Sequence, residues 1–410
     1  MRLPLLAAAL ALSFGLTGCG GDPEPTGPGP DVPQAATTTA LTFIHVTTGA
    51  MHSCGVTSDH RAWCWGDNER GQVGTGGTTP GYAVAWAVAG GLRFLDVTAG
   101  DWHTCGITTD NLLYCWGLDD AGQLGTGGGA PCSGGVCRSP VAVAGSRHWR
   151  QVSAGVSHTC GVTTAFKVFC WGDGSEGQVG TGDSLVHRSP AAVKSGLQFR
   201  QVTAGRGYTC ALTTASRAYC WGRNDTGTLG NGTKVGRPTP GPVSGGLTFR
   251  KLSAGYGHIC GVALDADVAY CWGHNLQGTP GTNHVTNLLK PTPVKGGVSF
   301  IRVSAGLEYT CGIDPSSRAW CWGRNALGSL GNGTFQDSPW PTAVVGGRTW
   351  LEVRAGPDAM HTCGVAYTTS FDATPPTSGQ ALCWGWNAAN QIGDQTLTNR
   401  KWPVAIIPPM

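Results

Sequence analysis

Seven copies of the tripeptide Cys-Trp-Gly, beginning at Cys64, Cys115, Cys170, Cys220, Cys271, Cys321 and Cys383, recur along this 410-residue chain. Successive copies are 51, 55, 50, 51, 50 and 62 residues apart. A period of that length belongs to solenoids and propellers, in which one small supersecondary unit is repeated until neighbouring copies bury each other. The chain must therefore be understood as one unit used seven times.

Aligned on the tripeptide, a unit reads aromatic-x-x-Val-x-Ala-Gly-x-x-His-x-Cys-Gly-Val, a polar turn, Ala-aromatic-Cys-Trp-Gly-x-Asn-x-x-Gly-Gln-Leu-Gly-Thr-Gly, a variable stretch and Pro-x-x-Val. No part of it has the length or period of a helix. From His158 to Thr163, His158, Cys160 and Val162 share one face, while from Val168 the rings of Phe169 and Trp171 lie opposite Cys170. That alternation marks short strands. Four of them in about fifty residues make one propeller blade, so the expected fold is an all-β, seven-bladed β-propeller.

Six of the tripeptide cysteines have a second cysteine ten or eleven residues upstream. Strands joined by a tight turn set such a pair opposite one another, with Cα atoms about 4.5 to 5.5 Å apart, within the span of a disulfide. One intra-blade bridge per blade is expected: Cys54 to Cys64, Cys105 to Cys115, Cys160 to Cys170, Cys210 to Cys220, Cys260 to Cys271, Cys311 to Cys321 and Cys363 to Cys383. In the last pair the extra residues, from Tyr367, extend the hairpin tip. Metal binding is the competing explanation of so many cysteines, but no short Cys-x-x-Cys pair is present. Cys132 and Cys137 lie in the insertion GGAPCSGGVCRSP and are expected to staple that loop.

Cys19 follows Arg2 and a short apolar run, as in a secretory signal too short to span a membrane. Leu16-Thr17-Gly18-Cys19 resembles the bacterial lipoprotein signal, which implies cleavage after residue 18 and lipidation of Cys19. Residues 19 to 40 carry five prolines and no large aromatic side chain, and they are expected to form a tether. The propeller then occupies 41 to 410. Export agrees with the disulfides, which persist in oxidising compartments; the expected location is the cell envelope, at the outer membrane or surface, with the lipid as the only membrane contact. The first blade starts at Leu41 with no Pro-x-x-Val strand before it, and the chain ends in such a strand at Pro403. The C-terminal strand is accordingly expected to close the ring by completing the first blade.

WGDNERGQVGTG from Trp65, WGLDDAGQLGTG from Trp116, WGRNDTGTLGNG from Trp221 and WGRNALGSLGNG from Trp322 resemble the repeat of the regulator of chromosome condensation family, whose members are seven-bladed propellers. The resemblance covers about residues 41 to 407; the fifth unit, WGHNLQGTPGTN, and the seventh, WGWNAANQIGDQ, depart from it. The family's namesake is a nuclear exchange factor for a small GTPase, a substrate that an exported protein would not meet. Export and fold are similar to the family's secreted bacterial branch, typified by β-lactamase inhibitory protein type II, which implies a protein-binding role without naming the target.

Chemistry beyond binding finds little support in the residues. His52, His103, His158, His258 and His361 occupy one position in five units, with Tyr208 and Tyr309 in the other two. Equivalent positions sit a blade apart, too far to share a metal at about 2.1 Å, so these histidines are expected to be structural. No Gly-x-Ser-x-Gly elbow occurs, and neither catalysis, metal nor cofactor is expected. Charged residues make up 12% of the chain with a net charge of +3, about half the usual share and without the basic stripe of a nucleic-acid binder.

Alternating strand direction puts the Ala-Gly-x-x loops and the crossovers after Trp-Gly on one face. Asp101, Trp102, Arg206, Tyr256, Leu307, Glu308 and Asp358 are the variable residues of those loops, with Trp340 expected from a crossover. Aromatic and arginine side chains among varied neighbours suit a binding hot spot. A protein partner is expected there; cell-wall or extracellular glycan is the alternative, with Trp102, Tyr256 and Trp340 as stacking surfaces, and a glycan-active enzyme is a third, weaker alternative.

Overall fold

A computed structural model describes residues 41–129, 132–282, 285–367 and 378–409. The expected signal, Cys19 and the expected tether lie outside the described residues. Every regular element described is a strand, and the strands form seven four-stranded antiparallel sheets. In the first, β1 (Phe43–Thr48), β2 (His52–Thr57), β3 (Ala62–Asp67) and β4 (Gly81–Ala87) pair in sequence order. The other six blades repeat this order.

The first strand of each blade is innermost, and these strands together wall a central channel. Its period of two separates two jobs. A bulge between Phe43 and His45 lets Phe43 and Val46 both lie on the buried side, and beyond it the alternation turns His45 and Thr47 to the channel. The corresponding channel position is Asp96, Gln151, Gln201, Lys251, Arg302 and Glu352 in the following blades, and two residues further on six blades have Thr or Ser while the seventh has Arg354.

All seven intra-blade cysteine pairs are bonded, in direct register across the two middle strands, with Cα atoms 4.0 to 4.1 Å apart. That is tighter than the sequence suggested. Cys132 and Cys137 are also bonded. Each bridge packs against the inner-strand aromatic and the Trp of the next blade; Cys54, Cys64 and Val56 meet Phe94 and Trp116 in one such core. The disulfides therefore belong to seven cores between blades. Gly74 shows how close the contact is: it holds φ at +77°, and a Cβ there would collide with the Trp116 indole.

One expectation is corrected. The C-terminal strand, Arg400–Ala405, pairs with Gln380–Gly385 of the seventh blade and completes that blade rather than the first. The first blade has its own outer strand, β4, whose text GYAVAWA lacks the Pro-x-x-Val signature and so looks unlike its counterparts. Closure uses side-by-side contacts between complete blades. Phe43 and Gly379 exchange backbone hydrogen bonds of 2.8 Å, the Val46 N–H donates to Glu352 Oε1 at 2.6 Å, and the Gly356 N–H donates to Thr48 Oγ1 at 2.6 Å.

Candidate protein-binding face

A repeated clamp makes the frame on which the variable loops sit. The Thr104 hydroxyl donates to the Gln72 carbonyl of the preceding blade at 2.9 Å, so its oxygen is left to accept from His52 Nε2 at 2.8 Å. The Trp116 indole N–H donates to the same carbonyl at 2.9 Å. The imidazole-to-hydroxyl bond recurs around the ring with His103 and Thr159, His158 and Thr209, His258 and Thr310, and His361 and Ser53, and the indole joins it in all of these but the pair of His258 and Thr310. Burial holds all five imidazoles well below their usual value, to about 3 for four of them and about 4 for His158. They are neutral cross-blade hydrogen bonders, as the sequence suggested.

Of the two tyrosine exceptions only Tyr208 meets a changed partner, since Tyr309 still faces a hydroxyl residue, Thr362, which donates to its phenol oxygen at 3.0 Å. Where Tyr208 replaces histidine, the next blade carries Ile259 in place of the hydroxyl residue, and the phenol donates instead to the Gly255 and His258 carbonyls at 2.7 and 2.8 Å. Tyr309 reaches the His361 carbonyl at 2.6 Å.

The fifth unit breaks the clamp. In the first, second, fourth, sixth and seventh units the Asn or Asp after Trp-Gly-x accepts the backbone N–H five residues on, as Asn224 does from Leu229 at 2.9 Å, while the third unit has Gly174 there. Five residues after Asn275 stands Pro280, which has no N–H. Asn275 Oδ1 is left buried without a partner, and so is the indole Nε1 of Trp322 in the next blade.

On this frame the loops between first and second strands converge at one mouth of the channel, and the antiparallel order puts the crossovers on the same face. Arg206 lies over the Tyr256 ring, 4.5 Å from its centroid. Asp101 accepts a hydrogen bond from Trp102, and burial raises its carboxyl to about 6 against the lowering effects of Trp102 and Arg206. Burial, then the charge of Asp101, raises Asp358 to about 7, with Arg206 opposing. Residues from blades two, four, five and seven thus form one electrostatic group.

Leu307 and Glu308 belong to the sixth blade's loop, with Glu308 held by Arg324 at 2.6 Å. Glu308 also borders a groove of about 200 Å³ walled by Arg206, Tyr256, Arg223, Asp225 and His274. The sequence alone did not single out those last three; for Arg223 and His274 the signal was the variable residue after each Cys-Trp-Gly, which reads as part of the repeat. Trp340 is not at the mouth. It lies in the outermost strand of the sixth blade, Ser338–Ala343, and is 41% exposed on the perimeter. Its text Trp-Pro reads as crossover, but the proline is accommodated because an outer strand has one unpaired edge.

A rigid disulfide-stapled ring that presents clustered variable side chains at one mouth defines a propeller of the binding-platform class. The chain belongs to the RCC1-like domain family, whose model matches residues 12–363. Among curated relatives, the ultraviolet-B receptor UVR8 of Arabidopsis thaliana is 32% identical over 157 residues, 38% of this chain and 35% of the receptor. The probable E3 ubiquitin-protein ligase HERC3 of Homo sapiens is 30% identical over 145 residues, 34% of this chain and 13% of the ligase. The matched stretches thus span about a third or less of these relatives. The solved structure of Prp20p from Saccharomyces cerevisiae superposes with a TM-score of 0.72 at 17% identity, covering 90% of this chain and 87% of that one; it is similar in fold.

Proposed function

We propose that this protein is an exported, lipid-anchored propeller that acts as a non-catalytic scaffold, binding a partner protein through the face around Asp101, Trp102, Arg206, Tyr256, Leu307 and Glu308. Residues 1–18 would be the signal, 19–40 the lipidated Cys19 and its tether, and 41–410 the platform. The observation that carries this is the convergence of Asp101, Arg206, Tyr256 and Asp358 from four blades at one mouth. Eight disulfides support an oxidising compartment. Prp20p, similar in fold, has binding properties toward Gsp1p and histones; this supports protein recognition by such a propeller and leaves the partner here to be found in the envelope. HERC3's ligase activity is not carried over, since the match spans 13% of that protein.

The glycan alternative loses support at Tyr256, because the Arg206 guanidinium already covers one face of the ring a sugar would stack on. The direct test immobilises the chain and captures from solubilised envelope proteins and from a polysaccharide panel. Capture of a protein that is lost when Trp102, Arg206 and Tyr256 are all changed to Ala is the expected result. Unaltered capture would remove this face from consideration, and polysaccharide capture would favour the alternative. Mass analysis of residue 19 tests the anchor separately, with Cys19→Ser expected to release the protein from membranes.

A further inference from the structure

Most inward-facing side chains of the channel's charged ring are engaged. Gln151 and Gln201 bond the neighbouring inner strand, with Nε2 donating to Val202 and Leu252 carbonyls at 2.8 and 2.7 Å. Arg302 donates to the Leu351 carbonyl at 3.2 Å. His45 is held between Asp96 at 2.8 Å and Glu352 at 3.0 Å, and Glu352 also takes Arg354 at 2.9 Å. Lys251 is the exception: among the described residues its ammonium makes neither a hydrogen bond nor an ion pair.

Its side chain lines a cavity of about 340 Å³ in the channel, shared with Arg354. The carboxylates that act on it from across the channel, Glu352 and Asp96, are both committed, while Arg354 and Arg302 oppose its charge. Arg354 uses Nε and Nη2 on Glu352, leaving Nη1 without a partner among the described residues. Ser253, two residues beyond Lys251 on the same face, accepts the Ala305 N–H at 3.0 Å and keeps its own proton available. An uncompensated cation facing a second cation across a polar cavity is an arrangement that an anion completes.

We propose that the central channel is an oxyanion site in which Lys251 and Arg354, with the Ser253 hydroxyl, hold a small anion of the sulfate and phosphate class. The site is independent of the proposed partner face. Arg354 above all, then burial, lowers the Lys251 ammonium to about 7. Near neutrality the empty site is therefore only partly protonated, and an anion that favours the ammonium form draws in a proton as it binds.

The test is isothermal titration of the full oxidised chain with sulfate at pH 7.5, at ionic strength held constant with chloride, in two buffers of different ionisation enthalpy. Sulfate does not titrate there, so any proton taken up goes to the protein. One saturable site with uptake of a fraction of a proton is expected, and phosphate should compete for it. Lys251→Met should weaken binding by about tenfold or more, the loss of one charge-assisted hydrogen bond, and abolish proton uptake. Lys251→Arg should bind without uptake. Because Lys251→Met removes an unpaired cation, it should melt at or above the parent temperature, which keeps a loss of binding distinct from a loss of fold. Absence of a saturable site, or equal affinity in Lys251→Met, overturns the proposal.

Discussion

His45 Nδ1 stands 3.0 Å from Glu352 Oε1, joining the inner strands of the first and seventh blades across 307 positions of sequence. Burial alone would lower this imidazole, yet Glu352 and Asp96 together raise it to about 9. The folded value lies above the unfolded one near 6.5, so the stabilisation is complete below pH 6.5 and is lost as pH rises through about 9. In urea melts taken every half unit from pH 6 to 10, His45→Gln should flatten the alkaline fall. An alkaline limb as steep as the parent's would show that closure does not depend on this charge.

The cross-blade clamp predicts a compensated exchange. Thr209→Ile alone removes the acceptor of His158 and the donor to the Gln178 carbonyl, a loss of about 1 to 3 kcal/mol. Adding His158→Tyr recreates the Tyr208 and Ile259 arrangement of the neighbouring blades and should recover part of that stability. A double variant no more stable than Thr209→Ile would refute the exchange.

The same histidine governs part of the acid limb. Burial depresses His158 to about 4, below its unfolded value near 6.5, so its contribution is present above pH 6.5 and is lost as pH falls through about 4. A pH series on the double variant should show a shallower decline between pH 6.5 and 4 than the parent.

Pro280 is a defect that can be repaired. Pro280→Leu supplies the N–H that Asn275 Oδ1 lacks and places at that position the residue found in the equivalent turn at Leu229. Satisfying one buried acceptor is worth about 1 kcal/mol or more. A rise in melting temperature is expected, and a fall would show that the fifth turn depends on proline geometry.

Asp358 reports the state of the channel mouth. Its carboxyl is raised to about 7 by burial and by Asp101, so the folded state is favoured at low pH and loses that advantage as pH rises through about 7. Asp358→Asn should raise the melting temperature at pH 8 and leave it nearly unchanged at pH 3.5. Equal shifts at both values would mean that folding does not raise this carboxyl.

Much of this was legible in the chain because it is local. Cys160 and Cys170 are ten residues apart and meet through one tight hairpin, so spacing alone pairs them. The clamp was half visible: histidine and tyrosine alternate at one repeat position, but the rule that joins Tyr208 to Ile259 links adjacent units and needs their contact to be seen. Ring closure was not legible because β4 lacks the proline signature, while the register of its pairing with β3 depends on backbone hydrogen bonds that any side chain permits. Trp340 is ambiguous for a similar reason, since Trp-Pro is compatible with a loop or an outer edge.

Repetition in the amino-acid order determined the number of blades, the alternation within each strand and the partner of every repeat cysteine, since these follow from periods of two and about fifty that act over short range. The meeting of Arg206 with Tyr256, the shared field of Asp101 and Asp358, the seam between His45 and Glu352 and the isolation of Lys251 were decided only in three dimensions. Each brings together side chains from different blades, and nothing in the order of residues specifies which variable positions will face one another until the ring has closed.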